Sequence, residues 1–146
     1  MANVFDVAKY VLEKCGSMTT MKLQKIVYYC QAWALAWDDE PIFDEDFQAW
    51  ANGPVCPELF SLHKGKFRIS ADDILGESGE EIAPYFKESM DVVISEYGDK
   101  SPQWLSDLTH SEMPWKKARK GCAPGDYCSN IIEKEDMRQY YSGLNG

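Results

Sequence analysis

The chain has 146 residues, and a domain of this length buries roughly two-thirds of the surface that its unfolded form exposes. Its 24 acidic and 15 basic side chains give a formal net charge of -9, which argues against non-specific binding to nucleic-acid phosphates. No apolar run approaches the roughly 20 residues that span a bilayer, and the N-terminus lacks the basic-then-apolar order of a signal peptide. These features predict one domain over residues 1–146, cytoplasmic and without a membrane or nucleic-acid partner.

The first two predicted elements are helices. Apolar residues recur at three- and four-residue intervals from Val4 to Cys15, which predicts a helix that stops at Gly16. Thr19 or Thr20 can cap a second helix that continues through Trp37. So few of its residues are polar that we expect it to be the buried central helix.

Short extended pieces follow the second helix. Pro41 ends that helix, because proline lacks the backbone donor that a helix needs. Ile42-Phe43 and the run from Phe47 to Ala51 are predicted as extended segments. Asn52-Gly53-Pro54 then forms a corner, and Pro57 opens a short helix.

The second half of the chain is predicted to be mainly helical. Residues 67–80 are polar and contain two glycines, which is typical of a loop. Three helices are expected after it: one from Ile82 to Tyr97, one opened by Ser101-Pro102, and a last one around residues 137–141. The predicted fold class is therefore mainly α, a compact helical domain with a short β element around residues 43–55.

The cysteines do not form a familiar pattern. Their number, five, is odd, and Cys15 and Cys30 occupy apolar helical positions, so buried reduced thiols and a reducing cytoplasm are favoured over a disulfide framework. Cys122 and Cys128 have the spacing C-x5-C, which is wider than the C-x2-4-C pairs of common zinc sites, so no metal is predicted.

The sequence evidence for catalytic groups is also weak. Cys56 and His63 would lie about two helical turns, or ~10 Å, apart on one helix, too far for a nucleophile and its base. His110 lies near Glu112 in sequence, but neither a G-x-S-x-G nor a phosphate-binding glycine loop accompanies them. The sequence therefore predicts no enzyme activity, no catalytic residue and no cofactor.

Three stretches of the sequence together form a specific signature. They read KLQKIVYYCQAW from Lys22, PIFDEDFQAWANGPVCPELF from Pro41, and LSDLTHSEMPWKKAR from Leu105. In this order they resemble the Panacea domain, the family of SocA-like antitoxins often encoded in phages and prophages. The departures are small: cysteine replaces alanine at Cys30 and valine at Cys56, and Asp38-Asp39-Glu40 replaces the family's glycine before the proline. A core or surface position tolerates such changes.

The resemblance implies a non-catalytic antitoxin that neutralises a cognate protein toxin, encoded by an adjacent gene, through direct protein–protein binding. It also allows a proteolytic-adaptor mode, in which the antitoxin delivers its toxin to a bacterial protease. Because the first helix starts almost at Met1, no additional DNA-binding domain is expected. Two alternatives stay open: a prophage-encoded interaction protein without a toxin partner, and a hydrolase or metal enzyme using His110, Glu112 or the Cys122 and Cys128 pair.

The stiff corner is the predicted binding element. Gly53 permits a backbone angle closed to other residues, while Pro54 and Pro57 limit the freedom that would be lost on binding. Trp50 is predicted with equal weight as a partner contact or as core. The candidate partner-binding residues are Trp50, Asn52, Gly53, Pro54, Glu58, His110, Glu112, Trp115 and Arg119.

Overall fold

The structure is a computed structural model that describes residues 2–75 and 81–144, and this part of the chain is mainly α, as predicted. The helices are α1 (Val4–Cys15), α2 (Thr20–Asp38), α3 (Pro57–His63), α4 (Pro84–Tyr97), α5 (Pro102–Ser111), α6 (Met113–Ala118) and α7 (Lys134–Leu144). The strands are β1 (Met18–Thr19), β2 (Phe47–Trp50), β3 (Gly53–Val55), β4 (Arg68–Ile69) and β5 (Ile131–Ile132). None of the helices in the described ranges has the length and apolar character to cross a membrane.

The helix α2 is the centre of the fold, which confirms the sequence prediction. It starts at the predicted cap, where the Thr19 side chain accepts a hydrogen bond from the backbone N–H of Lys22 at 3.1 Å. Every residue from Leu23 to Leu35 is buried, because α1, α4, α5 and α7 pack around the helix. The helix ends at Asp38, and Asp39 turns the chain away with a φ of 60°.

The strand β2 is the middle of a three-stranded antiparallel sheet. It pairs with β3 through a tight turn, with Trp50 opposite Gly53, and with β5 on its other edge. Phe47 and Ala49 point into the core, whereas Gln48 and Trp50 alternate with them and are only partly buried. The outward face of this strand therefore carries Gln48 and Trp50.

The predicted β element around residues 43–55 is confirmed, although Ile42-Phe43 is a buried irregular segment instead of a strand. The sequence does not predict β1, β4 or β5, because each has two residues and is too short for alternation to show. The loop predicted over residues 67–80 is thus partly wrong: it contains β4, whose Ile69 is buried, and a 3-10 turn. Residues 76–80 of that prediction lie outside the described residues.

Two buried glutamines of α2 hold the chain on both sides of the β2–β3 hairpin. Before the hairpin, Gln31 donates from Nε2 to the Phe43 carbonyl and accepts from the Ile42 N–H, both at 2.8 Å. After it, Gln24 accepts from the Cys56 N–H at 2.9 Å and donates to the Cys56 carbonyl at 3.3 Å. Each amide therefore pairs backbone groups that no strand partner reaches.

The structure corrects one prediction about the cysteines. Cys122 and Cys128 form a disulfide, with their Cα atoms 6.0 Å apart, so the expectation of reduced thiols is wrong for this pair. The chain turns back at Gly125, whose φ is 81°, and this reversal brings together two residues that the spacing alone does not place. Cys15, Cys30 and Cys56 are free thiols.

Replacing Gln31 with methionine should lower the free energy of unfolding by about 3 kcal/mol, because two buried backbone groups lose their partners. Denaturant unfolding of the variant and the wild type measures this difference. Gln139→Met is the control, since Gln139 is exposed and bonds only Glu135, and its cost should stay within about 0.5 kcal/mol. Equal costs for the two variants would show that the two hydrogen bonds of Gln31 do not stabilise the fold.

Candidate partner-binding site

The corner between β2 and β3 is seated directly on α2 and α5. Gly53 has a φ of 121°, and a Cβ atom at this position would lie 2.5 Å from Cε of Lys25 and 3.0 Å from Oγ1 of Thr109. Ser106 donates a hydrogen bond to the Asn52 carbonyl at 2.7 Å. Glycine is therefore required here both by the backbone angle and by the close approach.

Residues after α5 support the corner from the other side. Trp115 donates from its indole N–H to the Trp50 carbonyl at 2.9 Å, and Arg119 donates to the Ala49 carbonyl at 3.0 Å and to the Ala123 carbonyl at 2.6 Å. The Arg119 guanidinium also lies over the Trp115 ring, 5.3 Å from its centroid. Both side chains satisfy backbone carbonyls at the edge of the corner.

Glu112 has a structural environment in the core. Its Oε1 accepts hydrogen bonds from the hydroxyls of Tyr29 at 2.7 Å and Tyr141 at 2.8 Å, which joins α2 to α7. Burial raises the pKa of the Glu112 carboxyl, and the two hydrogen bonds oppose that rise. The carboxyl is directed at these tyrosines and away from solvent.

His110 faces a different set of neighbours from Glu112. Its ring lies against Trp115, with the centroids 4.2 Å apart. Burial lowers the pKa of His110, and within the described part of the chain its Nε2 is buried without a hydrogen-bond partner. His110 and Glu112 therefore face different neighbours, and no hydrogen bond joins them in the described part of the chain.

The nine predicted residues divide by exposure. Gly53, Pro54, Glu112 and Arg119 are buried, and Trp50, His110 and Trp115 are partly buried. Asn52 and Glu58 are exposed. Trp50, which was predicted equally as core or contact, packs edge-on against Phe60 and Tyr127 at 4.9 and 5.4 Å between centroids and stays partly accessible.

A pocket of about 390 Å³ opens beside Trp50, and we name it the Lys25 pocket. Its walls include Lys25, Trp50, Asn52, Phe60, His63 and Tyr127. Sequence reasoning assigned no role to Lys25, although a lysine within the apolar run of α2 was a visible signal. It missed Tyr127 entirely, since no pattern marks the loop that the disulfide closes.

Lys25 is the unusual electrostatic feature of this pocket. The residue is 1% exposed, and its ammonium has neither a hydrogen bond nor an ion pair to any described residue. Burial lowers the pKa of the Lys25 ammonium to about 8. At neutral pH the group is therefore mostly charged, and no described residue pairs with it to offset the free-energy cost of burying the charge.

His63, on the same pocket wall, is held neutral by its surroundings. Gln24 donates from Nε2 to Nε2 of His63 at 3.0 Å, which leaves that ring nitrogen as an acceptor. Burial also lowers the pKa of His63. Lys25 is thus the one full positive charge among the residues that line the pocket.

A second depression, the acidic groove, lies at the other end of β2. Its volume is about 730 Å³, and its acidic lining residues are Asp44, Glu45, Asp46 and Glu58. Gln48 lines this groove as well, whereas Trp50 lines the Lys25 pocket. The outward face of β2 therefore borders both depressions.

The remaining catalytic and metal candidates are engaged elsewhere. The Cys56 thiol donates to Oε1 of Glu58 at 3.6 Å, and burial raises its pKa to about 12, so it is not a thiolate at neutral pH. Cys122 and Cys128 are joined to each other and cannot serve as thiolate ligands. In residues 2–75 and 81–144 no three His, Cys, Asp or Glu side chains are grouped to hold a metal ion.

One protein family, described as antitoxin SocA-like, Panacea domain, matches residues 23–116. This range is more than half of the 146-residue chain and includes the corner between β2 and β3. The chain belongs to the SocA-like Panacea family. No curated protein and no solved structure matches it.

The Panacea range and the Lys25 pocket do not coincide completely. The match runs from α2 into α6 and so includes Lys25, Trp50 and His63. Tyr127 and the disulfide that closes its loop lie beyond the match. The outer wall of the pocket is therefore contributed by a segment that the Panacea match does not cover.

Gly53→Ala should lower the free energy of unfolding by about 3 kcal/mol, since it adds both a left-handed alanine and a contact with Lys25. Gly65→Ala is the matched control, because Gly65 also has a positive φ, of 85°, but nothing lies within 4 Å of its added Cβ. The control should cost about 1 kcal/mol. Thermal and denaturant unfolding measure both, and equal costs would show that the close approach to Lys25 carries no energy.

Lys25→Met should change the pH dependence of stability. The folded pKa of about 8 lies below the unfolded value of about 10.4, so the unfolded state binds more protons between these values and wild-type stability rises there with pH. Relative to Lys25→Met, the wild type should gain about 2 to 3 kcal/mol between pH 7.5 and 10. Measuring the free energy of unfolding of both proteins across this range tests the prediction, because the tyrosines that they share titrate alike in both. A difference between the two free energies that stays constant with pH would contradict the lowered pKa.

Proposed function

We propose that the chain is an antitoxin that neutralises a cognate protein toxin by direct binding. Its family membership supports this class of partner. The observation that carries the proposal is the corner, where buried supports fix the backbone and Trp50 and Asn52 stay accessible. A surface that is rigid before binding loses little conformational entropy in a complex.

The outward face of β2 is the proposed contact surface. The Trp50 indole donates to Oε1 of Gln48 at 2.8 Å, so the two partly buried side chains form one ordered ridge between the acidic groove and the Lys25 pocket. Tryptophan and tyrosine are the residues that most often dominate binding energy, and Trp50 and Tyr127 supply them here. The acidic groove, with Glu58, would attract a basic toxin surface and raise the association rate.

We infer that neutralisation is steric and requires no catalysis by this chain. His110 and Glu112 face different neighbours, and the Cys56 thiol is protonated at neutral pH, which supports this inference. The proposed place of action is the cytoplasm, where toxin and antitoxin would be synthesised together, although a disulfide such as Cys122–Cys128 is rare in that reducing compartment. Delivery of the bound toxin to a bacterial protease would use the same contact surface and is distinguished by the fate of the toxin.

Growth rescue tests the proposal. The adjacent open reading frame is expressed alone and together with this chain, followed by co-purification and measurement of the toxin level. We expect toxicity alone and rescue with a stable complex; rescue with loss of the toxin would identify the protease-dependent mode. A harmless neighbour that forms no complex would refute the antitoxin proposal in favour of an interaction protein without a toxin.

Asn52→Arg should abolish rescue and weaken the complex, by tenfold or more, which corresponds to about 1.4 kcal/mol or more. The side chain of Asn52 is exposed, so the variant should fold, while the added length and charge obstruct the corner. The control Gln103→Arg introduces the same arginine at an exposed position of α5 and should rescue fully. Full rescue by both variants would exclude the corner as the contact surface.

A further inference from the structure

The Lys25 pocket has a polarity that the proposed contact surface does not explain. Its lining residues include a lysine but no aspartate or glutamate, although acidic side chains outnumber basic ones by 24 to 15 in the whole chain. The Lys25 side chain is 1% exposed, lines the pocket, and bonds no described residue through its ammonium. A buried cation without a counter-charge is strongly favourable for a ligand that supplies one.

We propose that the Lys25 pocket binds a carboxylate that is attached to an apolar or aromatic group. The carboxylate would pair with the Lys25 ammonium, and the apolar group would lie against Trp50, Phe60 and Tyr127. This inference goes beyond toxin neutralisation, because it assigns a ligand chemistry to a particular cavity.

The charge of the pocket favours a carboxylate over a phosphate. Lys25 is the one cation in the lining, since His63 is neutral and accepts from Gln24. One ammonium matches a single negative charge, whereas phosphate groups commonly recruit arginines or several backbone N–H groups. The net charge of -9 opposes anions only weakly at this site, because exposed charges are screened beyond about 8 Å at physiological ionic strength.

The walls favour an apolar body on the ligand. The ring of Trp50 packs edge-on against Phe60 and Tyr127, and Phe60 packs against His63, with centroids 5.4 Å apart. The volume of about 390 Å³ lies in the range of small-ligand pockets, roughly 300–1,000 Å³. A chain terminus with an apolar last residue and a free aromatic acid share this chemistry.

Binding of N-acetylphenylalanine, compared with its neutral amide, tests the proposal. Titrations on the full chain are followed by calorimetry and by the NMR signal of the Trp50 indole N–H. We expect the acid to bind at millimolar concentration or below and to shift this signal, and the amide to bind about tenfold more weakly or worse. Equal binding of acid and amide, or no binding of the acid, would overturn the proposal.

Variants locate the site. Lys25→Met should weaken binding of the acid about tenfold and remove the preference over the amide, whereas Lys64→Met, which removes an exposed charge outside the pocket, should change neither. Tyr127→Ala keeps the test valid if Lys25→Met does not fold. Because Tyr127 is 68% exposed, this variant should fold. It should bind both probes about threefold more weakly and keep the preference for the acid. Undiminished binding by the folded Lys25→Met variant, or by Tyr127→Ala, would overturn the assignment.

The source of the carboxylate is distinguished with a longer probe. N-acetyl-diglycyl-phenylalanine presents the same group as a polypeptide terminus. Tighter binding of the peptide than of N-acetylphenylalanine would identify a polypeptide C-terminus as the ligand. Equal or weaker binding of the peptide would identify a free acid. In either case, a preference for the acid over the amide supports recognition of a carboxylate on an apolar group. These outcomes do not depend on the toxin experiment, so failure of one leaves the other intact.

Discussion

The hydrogen bonds from Gln24 and Gln31 to the main chain are the constraint on which the rest of the structure depends. Because both amides project from the buried helix α2, they fix the segments on either side of the hairpin to the most rigid part of the molecule. A short hairpin is marginal in water without such support. With its two ends fixed, the hairpin can place Gly53 so close to Lys25 and Thr109 that an added Cβ atom would lie 2.5 Å and 3.0 Å from their side-chain atoms.

Several residues of the family signature form the hydrogen bonds that support the corner and the helices around it. Glu112 ties α2 to α7 through two tyrosine hydroxyls, and Arg119 and Trp115 satisfy carbonyls of β2. These polar side chains are buried or partly buried, where an unmade hydrogen bond is costly, so their chemistry is fully used inside the fold. The residues left for a partner, Trp50 and Asn52, are few and lie where the support converges.

The buried Lys25 ammonium contrasts with the buried glutamines of α2, Glu112 and Arg119. The glutamines, Glu112 and Arg119 all have partners, yet Lys25 bonds no described residue and borders an accessible pocket. The cost of this charge follows from desolvation, and a fold that needed only to fill space could use methionine at the same position. The uncompensated charge is therefore best understood as a feature directed at something outside the chain.

The sequence by itself predicted the helices other than α6, the hairpin and the family. Long amphipathic periods, proline and glycine act locally, and the three matching stretches form a signature. It identified Trp50, Gly53 and Trp115 without saying which would be exposed. Only the tertiary structure directed His110 and Glu112 at different neighbours, joined Cys122 to Cys128 and brought Tyr127 across to Trp50. Each of these depends on a chain reversal or a packed interface between distant elements, and such contacts have no periodic signal in the residues that make them.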